Sequence, residues 1–234
     1  NLLVAGRCLS ATSEAAGAVR VMPPVMAMGQ AAGTAAALCV KTGKTPRTLD
    51  VTTLVATLKE QKAFLDNYAD IITQLVAPTT LFASSSIAHC ALESGWGKSN
   101  MGSANNYFGF KATSSWKGKV ASRTTYEYIN GVKTKFVGTG KDYSSYAAAI
   151  ADGAHKQTIF RAYDGFRQSC EDYVRLLTTS SRYASAVKVT TSPKDQIYAI
   201  LKAGDATKSA DKYSESIASV IRQHDLTKYD KKKV

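Results

Sequence analysis

The sequence predicts a mainly helical α+β fold in two unlike segments, residues 1–64 and 65–234, the second carrying a small β-hairpin lobe. Three observations carry this reading. Residues 1–64 are rich in Ala, Val and Met and contain no Trp or Tyr, whereas all twelve tyrosines and both tryptophans lie from Tyr68 onward. Helix-type runs with start and stop signals recur in both segments. One Asn-Gly pair, Asn130-Gly131, sits between two β-prone runs in RTTYEYINGVKTKFVG, the pattern of a hairpin with a type I′ turn.

Taken in order, LLVAG at the start reads as a short, fully buried strand. After Pro23-Pro24, VMAMGQAAGTAAALCVKTG reads as a helix: Pro24 suits its first turn, Ala and Leu propagate it, and Gly43 ends it. Gly29 and Gly33, about one turn apart, suggest close packing of another backbone or a ligand. The composition change puts a boundary near Phe64–Asn67. In the second segment Ser84, Ser85 and Ser86 are N-cap candidates for a helix running through IAHCALE. Ile87, Ala88, Ala91 and Leu92 share one face, and Ser86, His89 and Glu93 the other. Gly95 and Gly97 stop that helix.

Several function classes are disfavoured. No run approaches about eighteen consecutive apolar residues, so no membrane span is expected. The chain opens inside a strand-like run, with no basic stretch or small-residue cleavage site before it, so no signal peptide is expected, and a fragment, a processed product or a fusion is. Cys8, Cys39, Cys90 and Cys170 lack CxxC spacing and read as buried free thiols, and His89, His155 and His224 are too dispersed for a metal site. The formal charge is +12, with 7 Lys/Arg against 3 Asp/Glu in residues 1–64 and 23 against 15 in the remainder. Such an excess favours polyanionic surroundings. No RNP, zinc-finger or helix-turn-helix pattern supports nucleic acid.

Glu93 is the candidate acid. It falls in the last helical turn, where the helix dipole disfavours negative charge, and a shielding Trp96 would favour the neutral form further. A carboxylic acid held neutral is what protonating a leaving oxygen requires. A charged His89 one turn earlier would act the other way. NNYFGFK (105–111) then supplies ring faces and amides suited to an N-acetylated sugar, and Glu127 lies on the first strand of the hairpin. Two carboxylates in separate environments flanking a cleft form the arrangement of glycoside hydrolysis.

These residues also carry a resemblance. ALESGWGKS (91–99), NNYFGFK (105–111), WKGKV (116–120), TYEYING (125–131), FRAY (160–163), EDYVRLL (171–177) and SRY (181–183) resemble, in order, the glucosaminidase family. Its members are peptidoglycan-cleaving endo-β-N-acetylglucosaminidases with a lysozyme-like fold. The likeness runs from about residue 71 to residue 229. It implies Glu93 as general acid, Glu127 as the second acidic residue of the β-lobe, and Tyr183 as a cleft tyrosine involved in catalysis. It also implies Trp96, Asn106, Tyr107 and Phe108 as residues shaping the sugar cleft. The stretch 141–158 departs from the pattern as a local duplication or inserted helix, and His89 stands where the family often has an uncharged polar residue.

NLLVAGR (1–7) and GAVRVMPPVMAMGQAAGTAAAL (17–38) resemble the C-terminal end of FAD-dependent oxidoreductases, an incomplete α/β flavoprotein fragment. The GxGxxG fingerprint is absent from the sequence, so FAD binding is not expected.

The expected activity is hydrolysis of the β-1,4 bond after N-acetylglucosamine in peptidoglycan glycan strands, by a monomer without metal or organic cofactor. Either Glu127 activates water, giving inversion, or the 2-acetamido group of the substrate attacks, giving retention. Muramidase, lytic transglycosylase, a non-catalytic wall-binding module and a remnant flavin oxidoreductase are the alternatives. The substrate implies an extracellular, cell-wall or phage-particle location.

Overall fold

Proline and glycine set the helix boundaries of the N-terminal residues much as expected. The structure, a computed structural model, describes residues 2–6, 9–19, 21–129, 131–204 and 210–230. The chain divides into two compact units, Asn1–Leu65 and Asp66–Val234. In the first, α1 (Ser13–Val19) precedes α2 (Met22–Thr42), which has proline in its first turn. Gly43 ends α2 at φ 66°, its N–H donating to the Cys39 carbonyl, a conformation that costs a glycine least. The Asp50 carboxylate accepts the amides of Thr52 (3.1 Å) and Thr53 (3.0 Å) and so starts α3 (Val51–Val76).

Two expectations fail here. LLVAG forms no strand, and Leu2 is 83% exposed. A strand needs a neighbour to pair with, and among the described residues no strand precedes residue 120. A Cβ added at Gly29 or Gly33 meets nothing within 4 Å, so neither glycine marks a close approach.

The second unit is built around α4 (Ala83–Glu93), which starts one residue before the expected serines and has no side-chain cap of its own. Ser84, Ser85 and Ser86 are instead buried in its first turn. Asp230, in the LTKYD run, accepts the Ser84 amide at 2.8 Å and its hydroxyl at 2.6 Å, so a residue from the far end of the chain does the capping. Ser85 and Ser86 hydroxyls return to the Phe82 carbonyl, and the Phe82 amide donates to Gln196 Oε1 at 2.9 Å. Ile87, Ala88 and Ala91 are fully buried against α7 (Pro193–Ala203), α8 (Ala210–Gln223) and the 3-10 turn Leu226–Tyr229.

The β-lobe holds two small antiparallel sheets. One orders β4 (Asp142–Tyr143), β1 (Val120–Ser122) and β5 (Ile159–Arg161), with β1 central. The other is the expected hairpin, β2 (Thr125–Ile129) with β3 (Val132–Phe136), paired from Thr125↔Phe136 to Ile129↔Val132. Gly131 takes φ 80°, as a type I′ turn needs, and Asn130 lies outside the described residues. Gly138 lies so close to the Arg123 backbone that a Cβ there would fall 2.4 Å from its carbonyl carbon. Arg123 donates to the carbonyls of Gly140 and Lys141 and to the Asp142 carboxylate, fixing the root of the hairpin. The 141–158 stretch supplies β4 and α5 (Tyr146–Ala151), whose Ala149 packs with Val120 and Ile159. Cys39, Cys90 and Cys170 are free and buried, and Cys8 lies outside the described residues.

The lobe is tied to α6 (Phe166–Thr179) by one buried carboxylate. Asp172 accepts from Arg161 (2.6 Å), from the Tyr163 hydroxyl (2.7 Å) and from Arg175. Burial alone would raise its pKa, but these donors outweigh it and hold the group below the usual carboxylate range. Removing it would strand the Arg161 guanidinium, whose side chain is only 16% exposed. Asp172→Ala is therefore expected to cost about 3–5 kcal/mol, since breaking a buried ion pair leaves an uncompensated charge. Urea denaturation should show a lower midpoint at an unchanged slope, and a loss under about 1 kcal/mol would mean that water already screens the pair.

Candidate active site

Glu93 is the last residue of α4, and the backbone beyond it is unusual. Gly95, Trp96 and Gly97 take φ of 54°, 61° and 83°, so a tryptophan sits in the left-handed region, at a steric cost of about 1–2 kcal/mol. Hydrogen bonds impose it: the Trp96 amide donates to the Ala91 carbonyl at 2.7 Å and the Gly97 amide to Ser94 Oγ at 2.9 Å. The turn carries the Trp96 ring onto His224, centroids 4.8 Å apart, and Trp96 does not line the groove that holds Glu93.

That groove has a volume of about 380 Å³. Among the described residues its polar groups are Glu93, His89, Tyr173, Tyr183 and Tyr213, and Phe108, Phe110, Leu176, Leu177, Ile200 and Leu201 supply apolar walls. The Tyr213 hydroxyl donates to Glu93 Oε1 in a short contact. His89 Nε2 stands 3.8 Å from the same oxygen, beyond hydrogen-bond distance, and His89 Nδ1 is 3.3 Å from the Tyr173 hydroxyl. The imidazole ring meets Phe108, Tyr173 and Tyr213 edge-on at centroid distances of 6.1, 5.7 and 6.0 Å. Phe108 stacks on Tyr173 at 4.1 Å and 8°.

Burial sets the protonation states around the acid. It pushes the His89 pKa down, against the opposing pull of Glu93, so His89 is a neutral imidazole near neutral pH. A neutral ring brings no positive charge to the carboxyl group, which answers the concern that His89 would act against an acid there. Burial first, then the Glu93 charge and hydrogen bond, pushes the Tyr213 phenol up, and burial does the same for Tyr173. Both therefore stay phenols and hydrogen-bond donors.

The groove brings Glu93, Tyr183 and Phe108 together. Glu127 does not line it: its carboxylate pairs with Lys111 Nζ at 2.7 Å, and Lys111 also caps the Phe160 ring at 4.3 Å. Asn106 is 1% exposed, with Nδ2 donating to the Phe110 and Arg161 carbonyls and Oδ1 accepting the Phe110 amide, so its amide is engaged by main chain. Tyr107 is buried, its hydroxyl 3.3 Å from that of Tyr68. Tyr173 and Tyr213 were missed by sequence reading, and Tyr213 reaches Glu93 across 120 residues of chain. Their only signal is a place on amphipathic helices, which marks core tyrosines equally. Among the described residues no three His, Cys, Asp or Glu side chains are grouped to hold a metal ion.

Residues 69–226 match the glucosaminidase family, described as mannosyl-glycoprotein endo-beta-N-acetylglucosaminidase, and residues 1–58 match FAD dependent oxidoreductase. The peptidoglycan hydrolase FlgJ of Salmonella typhimurium is 34% identical over 166 residues, 66% of this chain and 45% of that protein. The C-terminally truncated glycoside hydrolase domain of Salmonella typhimurium FlgJ is 31% identical with a TM-score of 0.50, covering 70% of this chain and 97% of that one. A peptidoglycan hydrolase mutant from Sphingomonas sp. A1 is 29% identical with a TM-score of 0.54, covering 71% and 96%. The chain belongs to the glucosaminidase family, and its larger unit is a glycoside hydrolase domain of lysozyme-like fold. It spans about half or less of the length of the curated relatives it matches. Among the described residues of 1–65 there is no strand followed by a glycine-rich loop, the element that would take the pyrophosphate of FAD.

Burial depresses the pKa of both His89 and His224 below the ordinary 6.5. Well above pH 6.5 both are neutral folded or unfolded and contribute no slope. As pH falls through 6.5 the unfolded chain takes up protons that the folded chain refuses, so stability declines by up to about 1.4 kcal/mol per pH unit for each group. A second decline begins near pH 3.8, where the unfolded chain protonates Asp172 while the folded, ion-paired carboxylate resists, and it continues until the pH passes the lowered folded value. Stability measured from pH 7 to 5 should therefore fall, and His89→Gln should flatten that slope. An equal slope in the variant would show that His89 is protonated inside the fold.

Proposed function

We propose that this glucosaminidase-family chain hydrolyses the β-1,4 bond after N-acetylglucosamine in peptidoglycan glycan strands, with Glu93 as general acid. The observation that carries the reading is Glu93, among the described residues the one carboxyl group lining an aromatic-walled groove, held through one oxygen by the Tyr213 hydroxyl. The second oxygen is then the one that delivers a proton to the glycosidic oxygen as the bond breaks. Tyr213 fixes the rotamer of the acid, and neutral His89 fills the space behind it without adding charge. Phe108 and Phe110 offer apolar walls to the sugar rings, and Tyr183 stands at the groove edge beside Gly204. The excess of basic over acidic residues suits an anionic wall, and the substrate implies action at the cell wall.

The other half of the reaction follows from where Glu127 points. Water activation by a second carboxylate needs that group across the bond, roughly 6.5–9.5 Å from the acid. Glu127 is paired with Lys111 and does not line the groove, which favours attack by the substrate's own 2-acetamido group and retention of the anomeric configuration. Glu127 then serves to hold the hairpin against the lobe. Proton NMR of the first products should show the β-anomer, and an initial α-anomer would restore Glu127 as the base that activates water.

Glu93→Gln should lower the rate of turbidity loss of cell-wall suspensions by about 10²–10⁴-fold while leaving wall binding intact. Lysis at the wild-type rate would rule out Glu93. Tyr213→Phe, which removes one hydrogen bond to a carboxyl group, should cost about ten- to a hundred-fold in kcat with little change in KM. Mass spectrometry of the digest should show N-acetylglucosamine at the new reducing ends. Muramic acid or a 1,6-anhydro ring there would assign the chain to muramidase or transglycosylase chemistry instead.

A further inference from the structure

The β2–β3 hairpin shows two different faces. Thr125, Glu127, Thr134 and Phe136 are half-buried toward the lobe, whereas Tyr126, Tyr128, Lys133 and Lys135 point outward. The register puts those four together, because Tyr126 pairs with Lys135 and Tyr128 with Lys133. Tyr126 and Tyr128 are 54% and 60% exposed, and the Lys133 ammonium lies 4.8 Å from the Tyr126 ring centroid. The acid of this hairpin, Glu127, is turned to the other face and neutralised by Lys111. The outward face therefore combines two tyrosine rings with two ammonium groups and carries no carboxylate. Its root is held by the Arg123 hydrogen bonds and the close approach of Gly138, so the face is presented on a fixed stem.

We infer that this outward face is a second carbohydrate contact, separate from the catalytic groove, that binds a carboxylate-bearing glycan chain. Tyrosine rings offer flat apolar faces to the C–H faces of sugar rings while their hydroxyls stay wet. Two lysines without a competing acid supply ammonium partners for carboxylates such as those of wall peptides attached to the glycan. Single-stranded nucleic acid also uses ring faces with basic groups. The glycan is favoured because it is the substrate proposed for the groove of this unit, so the inference rests on that reading for its ligand. A chain tethered at a second point would stay on an insoluble substrate between cleavage events.

The test uses the full chain carrying Glu93→Gln, so that walls are not digested, in co-sedimentation with purified sacculi. Native sacculi are compared with sacculi whose carboxyl groups have been amidated. Two further variants are made in the same background, Tyr126→Ser with Tyr128→Ser, and Lys133→Gln with Lys135→Gln, each checked for an unchanged melting temperature. Both should bind native sacculi about ten-fold more weakly, and the lysine pair should differ little from its parent on amidated sacculi. With Glu93 intact, both variants should cleave a short soluble glycan fragment as the wild type does. Equal sedimentation of parent and variants on native sacculi would overturn the inference. So would loss of soluble cleavage in step with binding, which would put the face within the groove, or competition by a single-stranded oligonucleotide as strong as that by a soluble carboxylated glycan. Failure of the proposed catalytic role is distinguishable, because it appears as activity surviving Glu93→Gln whatever the hairpin does.

Discussion

The burial of α4 is the constraint on which the larger unit depends. A helix surrounded on most sides must satisfy its end groups from within the protein, and its neighbours must come close. Small residues permit the approach: Ser84, Ser85, Ser86, Ala88, Cys90 and Ala91 are all buried. Asp230 and Gln196 supply the partners at the N-terminal end that solvent cannot. What emerges from this packed rod is its C-terminal residue, Glu93, set at the edge of a groove with its orientation fixed from α8 by Tyr213. Catalytic side chains are most accurately held when their supports are rigid elements, and α4 is the most enclosed helix of this unit among the described residues.

The surroundings of Glu93 follow a different logic from the one its sequence neighbours suggest. Trp96, three residues on, looks like the group that shields the acid. The left-handed turn sends its ring to His224 instead. The aromatic residues that line the groove beside the exposed Glu93 are Phe108, Tyr173 and Tyr213, contributed by a loop and two later helices. Their effect is chemical as well as steric, since burial keeps His89 uncharged and both tyrosines protonated.

What sequence could reveal divides along the range of the interactions involved. The extent of α2 was legible because Pro and Gly act on their own backbone, and the hairpin was legible because Asn-Gly dictates a local turn. The position of Glu93 at a helix end was legible for the same reason. LLVAG was misread because a strand exists only with a partner, and the run itself cannot show whether one is present. The N-cap of α4 was misread because buried serines resemble capping serines, and the true cap, Asp230, is 146 residues away. Tyr213 and the Lys111–Glu127 pair were invisible for that reason too: each joins parts of the chain that only the folded unit brings together.

Delivery of the proton by Glu93, inside the groove it shares with Tyr213, is the step on which the proposed chemistry turns. It is tested most directly by a crystal structure of Glu93→Gln soaked with a peptidoglycan tetrasaccharide. A glycosidic oxygen is expected within roughly 2.6–3.2 Å of the residue-93 side chain, with sugar rings against Phe108 and Phe110. A glycan bound with its scissile oxygen nearer Glu127 than residue 93 would contradict it.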